Sequence, residues 1–244
     1  MKQVWPIFKR EFAAYFATPL AYVFIVIFLL AMGAFTFYVG RFYDNSIADL
    51  SVFFGYHPWL YLFLVPAIAM RLWAEERRTG TMELLLTLPV PLWATVAGKY
   101  LAAWAFIAVA LALTFPIWLT VNYLGDPDNG VIVASYIGSL LMAGGYLAIG
   151  ACISATTSNQ VIAFVVTVVV CFLFTISGAP LVLDFFRGWA PLALVTAISS
   201  FSFLTHFTAI SRGVIDLRDV IFFFSLIALF LTANVVVVDL KKSG

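Results

Sequence analysis

Arg71-Leu72-Trp73-Ala74-Glu75-Glu76-Arg77-Arg78-Thr79-Gly80-Thr81-Met82-Glu83-Leu84-Leu85-Leu86-Thr87-Leu88-Pro89 is a dense island of charge set between two hydrophobic segments. The surrounding chain of 244 residues is 64% hydrophobic and 10% charged, with a mean hydropathy of +1.07. Soluble domains carry about a quarter charged residues, so the chain reads as an all-α integral membrane protein. No interval between its apolar runs reaches the roughly 50 residues of a separate soluble domain. One transmembrane domain over residues 1–244 is expected.

Upstream of the island, Tyr56 to Trp73 is an apolar run interrupted by Pro58 and Pro66, and Leu20 to Gly40 is free of charge. At 1.5 Å per residue, a run of about 20 residues crosses a hydrocarbon core of about 30 Å. These are expected spans 2 and 1, within residues 20–73. Before them, residues 1–19 put Trp5, Phe8, Phe12, Tyr15 and Phe16 near one helical face and leave Lys2, Lys9 and Arg10 for the other. That pattern suits a helix lying in the membrane interface. The apolar run after it is too long for a secretory leader, so the N-terminus is expected to be retained.

Downstream, residues 92–176 hold three more expected spans. Leu92 to Tyr123 is apolar apart from Lys99, which is expected to snorkel to the near interface. The turn cluster Gly125-Asp126-Pro127-Asp128-Asn129-Gly130 separates it from Val131 to Ile153. There, Ser135, Ser139 and Ala143 form one row of small residues, and Gly144, Ala148 and Cys152 another. Such rows allow close helix approach in lipid, either inside one chain or across a dimer. Val161 to Ile176 is the fifth span. Residues 177–218 are too broken for a confident span and too apolar for a free loop; short re-entrant or interfacial helices would keep their backbone satisfied. Val220 to Val238, within residues 219–244, is the sixth, with Asp216 as a helix cap and Asp219 near the positive end of the dipole.

Six spans place both termini on one side. That side collects Lys2, Lys9, Arg10, Arg71, Arg77, Arg78, Lys99, Lys241 and Lys242, against Arg41, Arg187, Arg212 and Arg218 on the other. The positive-inside rule then puts the termini and the island in the cytoplasm.

Little points to chemistry on the chain itself. Gly98-Lys99-Tyr100 lacks the upstream glycine and the hydroxyl of a phosphate loop. His57 and His206 stand in no metal-binding helical spacing, and each is expected to be an interfacial or capping residue. Cys152 and Cys171 fall in apolar segments and read as core residues. A membrane enzyme would need a serine and histidine assembled across spans, and no serine is marked for that. Ion-coupled carriers keep ionisable groups in their spans; here Asn122 and Asn234 are polar exceptions, expected to bond between helices. No catalytic residue, metal or cofactor is expected, and no nucleic-acid partner. Energy for any transport must come from elsewhere.

The island offers a route. Thr79-Gly80-Thr81 breaks its helical run, Thr81 can cap a new helix with Glu83 in its first turn, and Pro89 and Pro91 stop that helix. Met82 to Leu88 has almost no polar face. Such a helix either enters a hydrophobic groove on another protein, with the adjacent charges as its rim, or rests on the bilayer.

Ala74 to Val90, followed by Gly98-Lys99-Tyr100, resembles the signature of ABC-2 type transporter permeases, in particular the branch of the gliding-motility and nitrous-oxide-reductase maturation permeases. Lys9-Arg10-Glu11-Phe12 with Thr18-Pro19, and Ser211-Arg212-Gly213-Val214-Ile215-Asp216 with Arg218-Asp219, are similar to the same branch. The resemblance covers the whole chain. It implies a bacterial inner-membrane half-transporter of six spans, with an N-terminal interfacial helix, a cytoplasmic coupling helix in residues 74–91 and re-entrant helices before span 6. It also implies a second permease copy or paralogue, a separate ATPase subunit that carries ATP and Mg, and contact of that ATPase with Glu75, Glu76, Arg77, Arg78, Thr81, Met82, Glu83, Leu84, Leu85 and Leu86. Export is the implied direction. The alternative is a mechanotransmitting or scaffolding subunit that passes the ATPase stroke to an extracytoplasmic auxiliary protein.

Overall fold

Helices account for most of the described residues in the computed structural model, which describes residues 3–44, 48–82, 90–188 and 190–241. Helix α1 (Val4–Phe16) stacks Trp5, Phe8, Phe12 and Phe16 along one stripe, with successive ring centroids 5.3, 5.6 and 5.2 Å apart. Helix α2 (Pro19–Gly33) continues as a π-helical segment, Ala34–Val39. Helix α3 (Ser51–Ala69) runs through both Pro58 and Pro66 rather than stopping at them. Each proline lacks the N–H that the carbonyl of Phe54 or Leu62 would take in a regular helix, a loss that neighbouring helices make tolerable in a membrane bundle. The chain breaks at Met70, and helix α4 (Arg71–Thr79) follows, ending on Gly80 at φ +73°, a left-handed cap that glycine takes without steric cost.

The expected third span is two helices, α5 (Leu92–Ala112) and α6 (Phe115–Leu124). At the break, the Thr114 hydroxyl lies 2.6 Å from the Leu111 carbonyl and 2.9 Å from the Tyr136 hydroxyl. Pro116 sits in the first turn of α6, where a missing N–H costs little. Helix α7 (Asn129–Ser154) is capped by Asp128, which accepts from the Gly130 and Val131 N–H groups at 2.9 and 3.2 Å. Helix α8 (Gln160–Ile176) is capped in the same way by Asn159. Three short helices, α9 (Pro180–Arg187), α10 (Leu192–Ser200) and α11 (Phe203–Ile210), precede α12 (Leu217–Leu240), for which Asp216 is the cap expected.

Five helical stretches are long and apolar enough to cross a membrane: Pro19–Val39, Ser51–Thr79, Leu92–Leu124, Asn129–Ser154 and Leu217–Leu240. Two bent pairs, α8 with α9 (77°) and α10 with α11 (65°), raise the number to seven if each counts as a span. The protein is thus an all-α, multi-span membrane bundle. Its axis is α7, buried over 78% of its most apolar window against 28% for the first stretch and 22% for the last. The small-residue rows of α7 are spent inside the chain. Ser139 Oγ is 2.9 Å from the Tyr61 hydroxyl, and the Tyr100 hydroxyl donates to the Gly144 carbonyl at 3.0 Å. A Cβ at Gly145 would come within 2.6 Å of the Phe203 ring. With no hydrophobic drive between helices in lipid, this close approach is what assembles the bundle.

Asn122 exchanges hydrogen bonds with Asn129 at 3.2 and 3.1 Å, joining the end of α6 to the start of α7. Asn234 departs from expectation: it is fully buried and neither atom of its amide has a partner among the described residues. His57 departs too. It is neither interfacial nor a cap but lies fully buried in α3 among the rings of Phe28, Phe53, Phe54 and Tyr61, its ring nitrogens unpartnered among the described residues. Cys152 and Cys171 are free thiols, half-buried and buried.

Candidate functional site

The island identified in the sequence lies at one end of the bundle, where three helices meet. Helix α1 is held against α5 at Gly98, where a Cβ would come within 2.7 Å of Ile7 Cγ2, and by Tyr15 stacked on Phe106 at 5.0 Å. Lys99, the next residue, does not snorkel. Its side chain is 4% exposed, and Nζ lies 2.7 Å from Glu76 Oε1 on α4 and 3.2 Å from Glu11 Oε2 on α1. The Trp73 ring lies 5.8 Å from the same ammonium. A lysine withdrawn from water is costly unless paired, and here one cation is shared by two carboxylates on two different helices. Arg10 completes the chain of charge, 2.6 Å from Glu11.

A second tie comes from the axis. Ser154, fully buried at the end of α7, accepts from the Trp73 and Ala74 N–H groups at 3.2 and 3.0 Å and donates to the Met70 carbonyl at 2.9 Å. In an unbroken helix the Ala74 N–H would bond to the Met70 carbonyl and the Trp73 N–H to the Ala69 carbonyl. One serine side chain therefore satisfies both lips of the α3–α4 break. At the same end, the Lys241 ammonium at the end of α12 reaches the Thr156 carbonyl, so the last turn of the described chain shares this face with α1.

The island residues separate into inward and outward groups. Glu75 makes a two-point pair with Arg71 at 2.7 and 3.0 Å. The Glu76 carboxylate accepts from the Lys99 ammonium at 2.7 Å and from the Thr81 hydroxyl. Thr79 bonds the Glu75 carbonyl at 2.9 Å and the Thr81 hydroxyl at 2.9 Å. The Thr81 hydroxyl is thus turned back toward α4. Arg77 is half-buried, its Nε unpartnered among the described residues. Met82 is 7% exposed and belongs to the core. Arg78 and Thr81 are exposed. Glu83, Leu84, Leu85 and Leu86, with the rest of the expected short helix to Leu88, lie outside the described residues.

Sequence reasoning missed two participants. A lone lysine on an otherwise apolar span calls for a counter-ion, a signal that points from Lys99 to the nearby carboxylates. Nothing in the sequence distinguishes Ser154 from the other serines of the spans. Among the described residues, no group of three or more His, Cys, Asp or Glu could hold a metal.

The family profile described as ABC-2 family transporter protein matches residues 44–238, which include the island, Lys99 and Ser154. The chain belongs to the ABC-2 family. ABC-2 membrane proteins are non-catalytic transport components, so this subunit is not itself an enzyme, and membership implies an ATPase partner. A comparison with individually curated proteins finds no match.

Proposed function

We propose that this ABC-2 protein is the permease half of an ABC exporter, of the gliding-motility and nitrous-oxide-reductase maturation branch, and that the island is its coupling element. On this reading the chain forms one transmembrane domain with six crossings. The sixth-span helix and α1 both present their outer ends to the cytoplasm of a bacterial inner membrane, and a second copy or paralogue completes the pore. The segment from Thr81 to Pro89 docks on the ATPase. Glu75, Glu76, Arg77, Arg78, Thr81, Met82, Glu83 and Leu84 to Leu86 serve that contact in two ways: Arg78, Thr81 and the leucines by touching the partner, Glu76 and Met82 by holding the segment to the bundle.

The observation that carries the reading is the double anchorage of α4, by Lys99 to α1 and α5 and by Ser154 to α7. A push on the island has a stiff path into the axis helix. Reconstitution with the cognate ATPase in vesicles tests it. Arg78→Glu and Leu85→Arg are expected to lower membrane-stimulated ATP hydrolysis at unchanged expression and melting temperature; unchanged stimulation in both would sink the proposal.

One observation favours mechanotransmission as a second reading. Ser202 Oγ donates to the Thr175 carbonyl at 3.1 Å, and His206 is bonded to Asp219, so α11 is fixed to the ends of both α8 and α12. Movement of those spans would reach the surface opposite the island. ATP-driven movement of a solute by vesicles holding only the permease and its ATPase would exclude this reading.

A further inference from the structure

At the end of the bundle away from the island, His206 on α11 has both ring nitrogens engaged. Nδ1 lies 2.6 Å from Asp219 Oδ1 in the first turn of α12, and Nε2 lies 2.9 Å from the Ser200 carbonyl at the end of α10. Both side chains are nearly sealed, 6% and 8% exposed. Asp219 does stand in the first turn of its helix, as expected, and is also a buried partner of His206.

Counting protons decides what this arrangement needs. A carbonyl oxygen can only accept, so Nε2 must carry a hydrogen. The contact between Nδ1 and Oδ1 must contain another, whether it sits on nitrogen or on oxygen, because two lone pairs 2.6 Å apart repel. The trio therefore binds one proton more than a neutral imidazole plus a carboxylate. The Phe222 ring stacks on the imidazole with centroids 4.0 Å apart and planes 19° apart, a placement that favours positive charge on the histidine.

The connection between α11 and α12 carries Arg212 and Asp216, and the Asp219 N–H donates to the Asp216 carbonyl. Of the helices packed beside α11, α7 carries Tyr136, Tyr146 and Cys152, α8 carries Cys171, α10 carries no titratable group, and α12 carries Arg218, Asp219 and, at its far end, Asp239. Meanwhile α10 is weakly held. Val195 is its one buried residue, and its own hydroxyls, on Thr196, Ser199 and Ser200, bond back to α10 carbonyls.

We infer that His206, Asp219 and the Ser200 carbonyl form a proton-binding clasp that pins α10 to α11 and α12. When the extra proton leaves to water, the neutral imidazole keeps a single N–H. The carboxylate is the stronger acceptor, so that hydrogen stays on Nδ1 and the Nε2 lone pair faces the Ser200 oxygen. The contact turns repulsive and α10 is released. This clasp is independent of the ATPase reading and would operate in the permease alone.

Hydrogen exchange of residues 192–200, measured on the full chain in lipid nanodiscs across a pH series and divided by the intrinsic exchange rate, tests it. In the native protein, protection of α10 is expected to fall about tenfold or more as pH rises, the scale of one lost hydrogen bond to a charged group. Asp219→Asn is the diagnostic variant. Its amide can donate to Nδ1 while a neutral ring still donates from Nε2, so both contacts survive without the extra proton and α10 stays protected at every pH. His206→Phe is expected to leave α10 unprotected throughout. Protection that does not vary with pH in the native chain, or an Asp219→Asn variant that keeps the native pH profile, overturns the clasp. The Asp219→Asn comparison stands even if the phenylalanine variant fails to fold.

Discussion

Lys99 Nζ and Glu76 Oε1, 2.7 Å apart, join α5 to α4 across 23 residues of sequence, with the lysine side chain almost withdrawn from water. Because Glu11 approaches the same ammonium from α1 at 3.2 Å, the lysine is the hub and each carboxylate a spoke. Lys99→Met is expected to destabilise the protein more than Glu76→Gln or Glu11→Gln, and a double-mutant cycle of Lys99→Met with Glu76→Gln should return a coupling of about 1 kcal/mol or more. Thermal or denaturant unfolding in detergent measures it. Additive losses would mean that the pair is not energetically linked.

Ser154→Ala removes the acceptor for two buried backbone N–H groups and the donor to a carbonyl. Unsatisfied buried groups cost about 1–3 kcal/mol each, and partial relaxation should keep the total near the low end of that range. A fall in melting temperature is expected, together with faster hydrogen exchange at residues 70–74. Exchange in α10 should stay at the native level.

Asn234→Leu is expected to go the other way. The substitution keeps the branched shape and removes an amide that is buried without a partner among the described residues, so stability should hold or rise by about 1 kcal/mol, as when an unpaired polar group is replaced by an apolar one of like form. A clear loss of melting temperature would show that the amide finds a partner in the working protein.

At Gly98, a valine would meet Ile7 where even a Cβ has no room. Gly98→Val should lift α1 from α5, costing about 1–3 kcal/mol as overpacking does. Quenching of Trp5 fluorescence by an aqueous quencher should change with it. Normal stability and an unchanged Trp5 environment would argue against this docking.

Hydropathy made most of this architecture legible, because length and apolarity alone decide what can cross a bilayer. Asp216 at the start of α12 and the turn before α7 were readable for a related reason: caps are local chemistry, settled within three residues. The internal breaks were harder. Pro58 and Pro66 look like stops but are absorbed by a helix packed on its neighbours, while the break at Leu113–Thr114 falls in a run with no charge to mark it. Long-range polar pairing was the least legible. His206 and Asp219 are thirteen residues apart, on separate helices, and only folding tells a sealed pair from two surface groups. In the island, charge density gave the location, but which of Glu75, Glu76 and Arg78 turn inward depends on Lys99 being buried beside them.

The Ser154 hydroxyl has a bearing on how such proteins can be recombined. The bend between Met70 and Trp73 is chemically completed by a residue more than eighty positions away, so the second span is not a portable part. A chimera that imports residues 51–82 from a relative without the matching end of the fourth span would inherit the bend but lose the oxygen that fills it. Grafts that carry both segments together should fold where single-segment grafts fail.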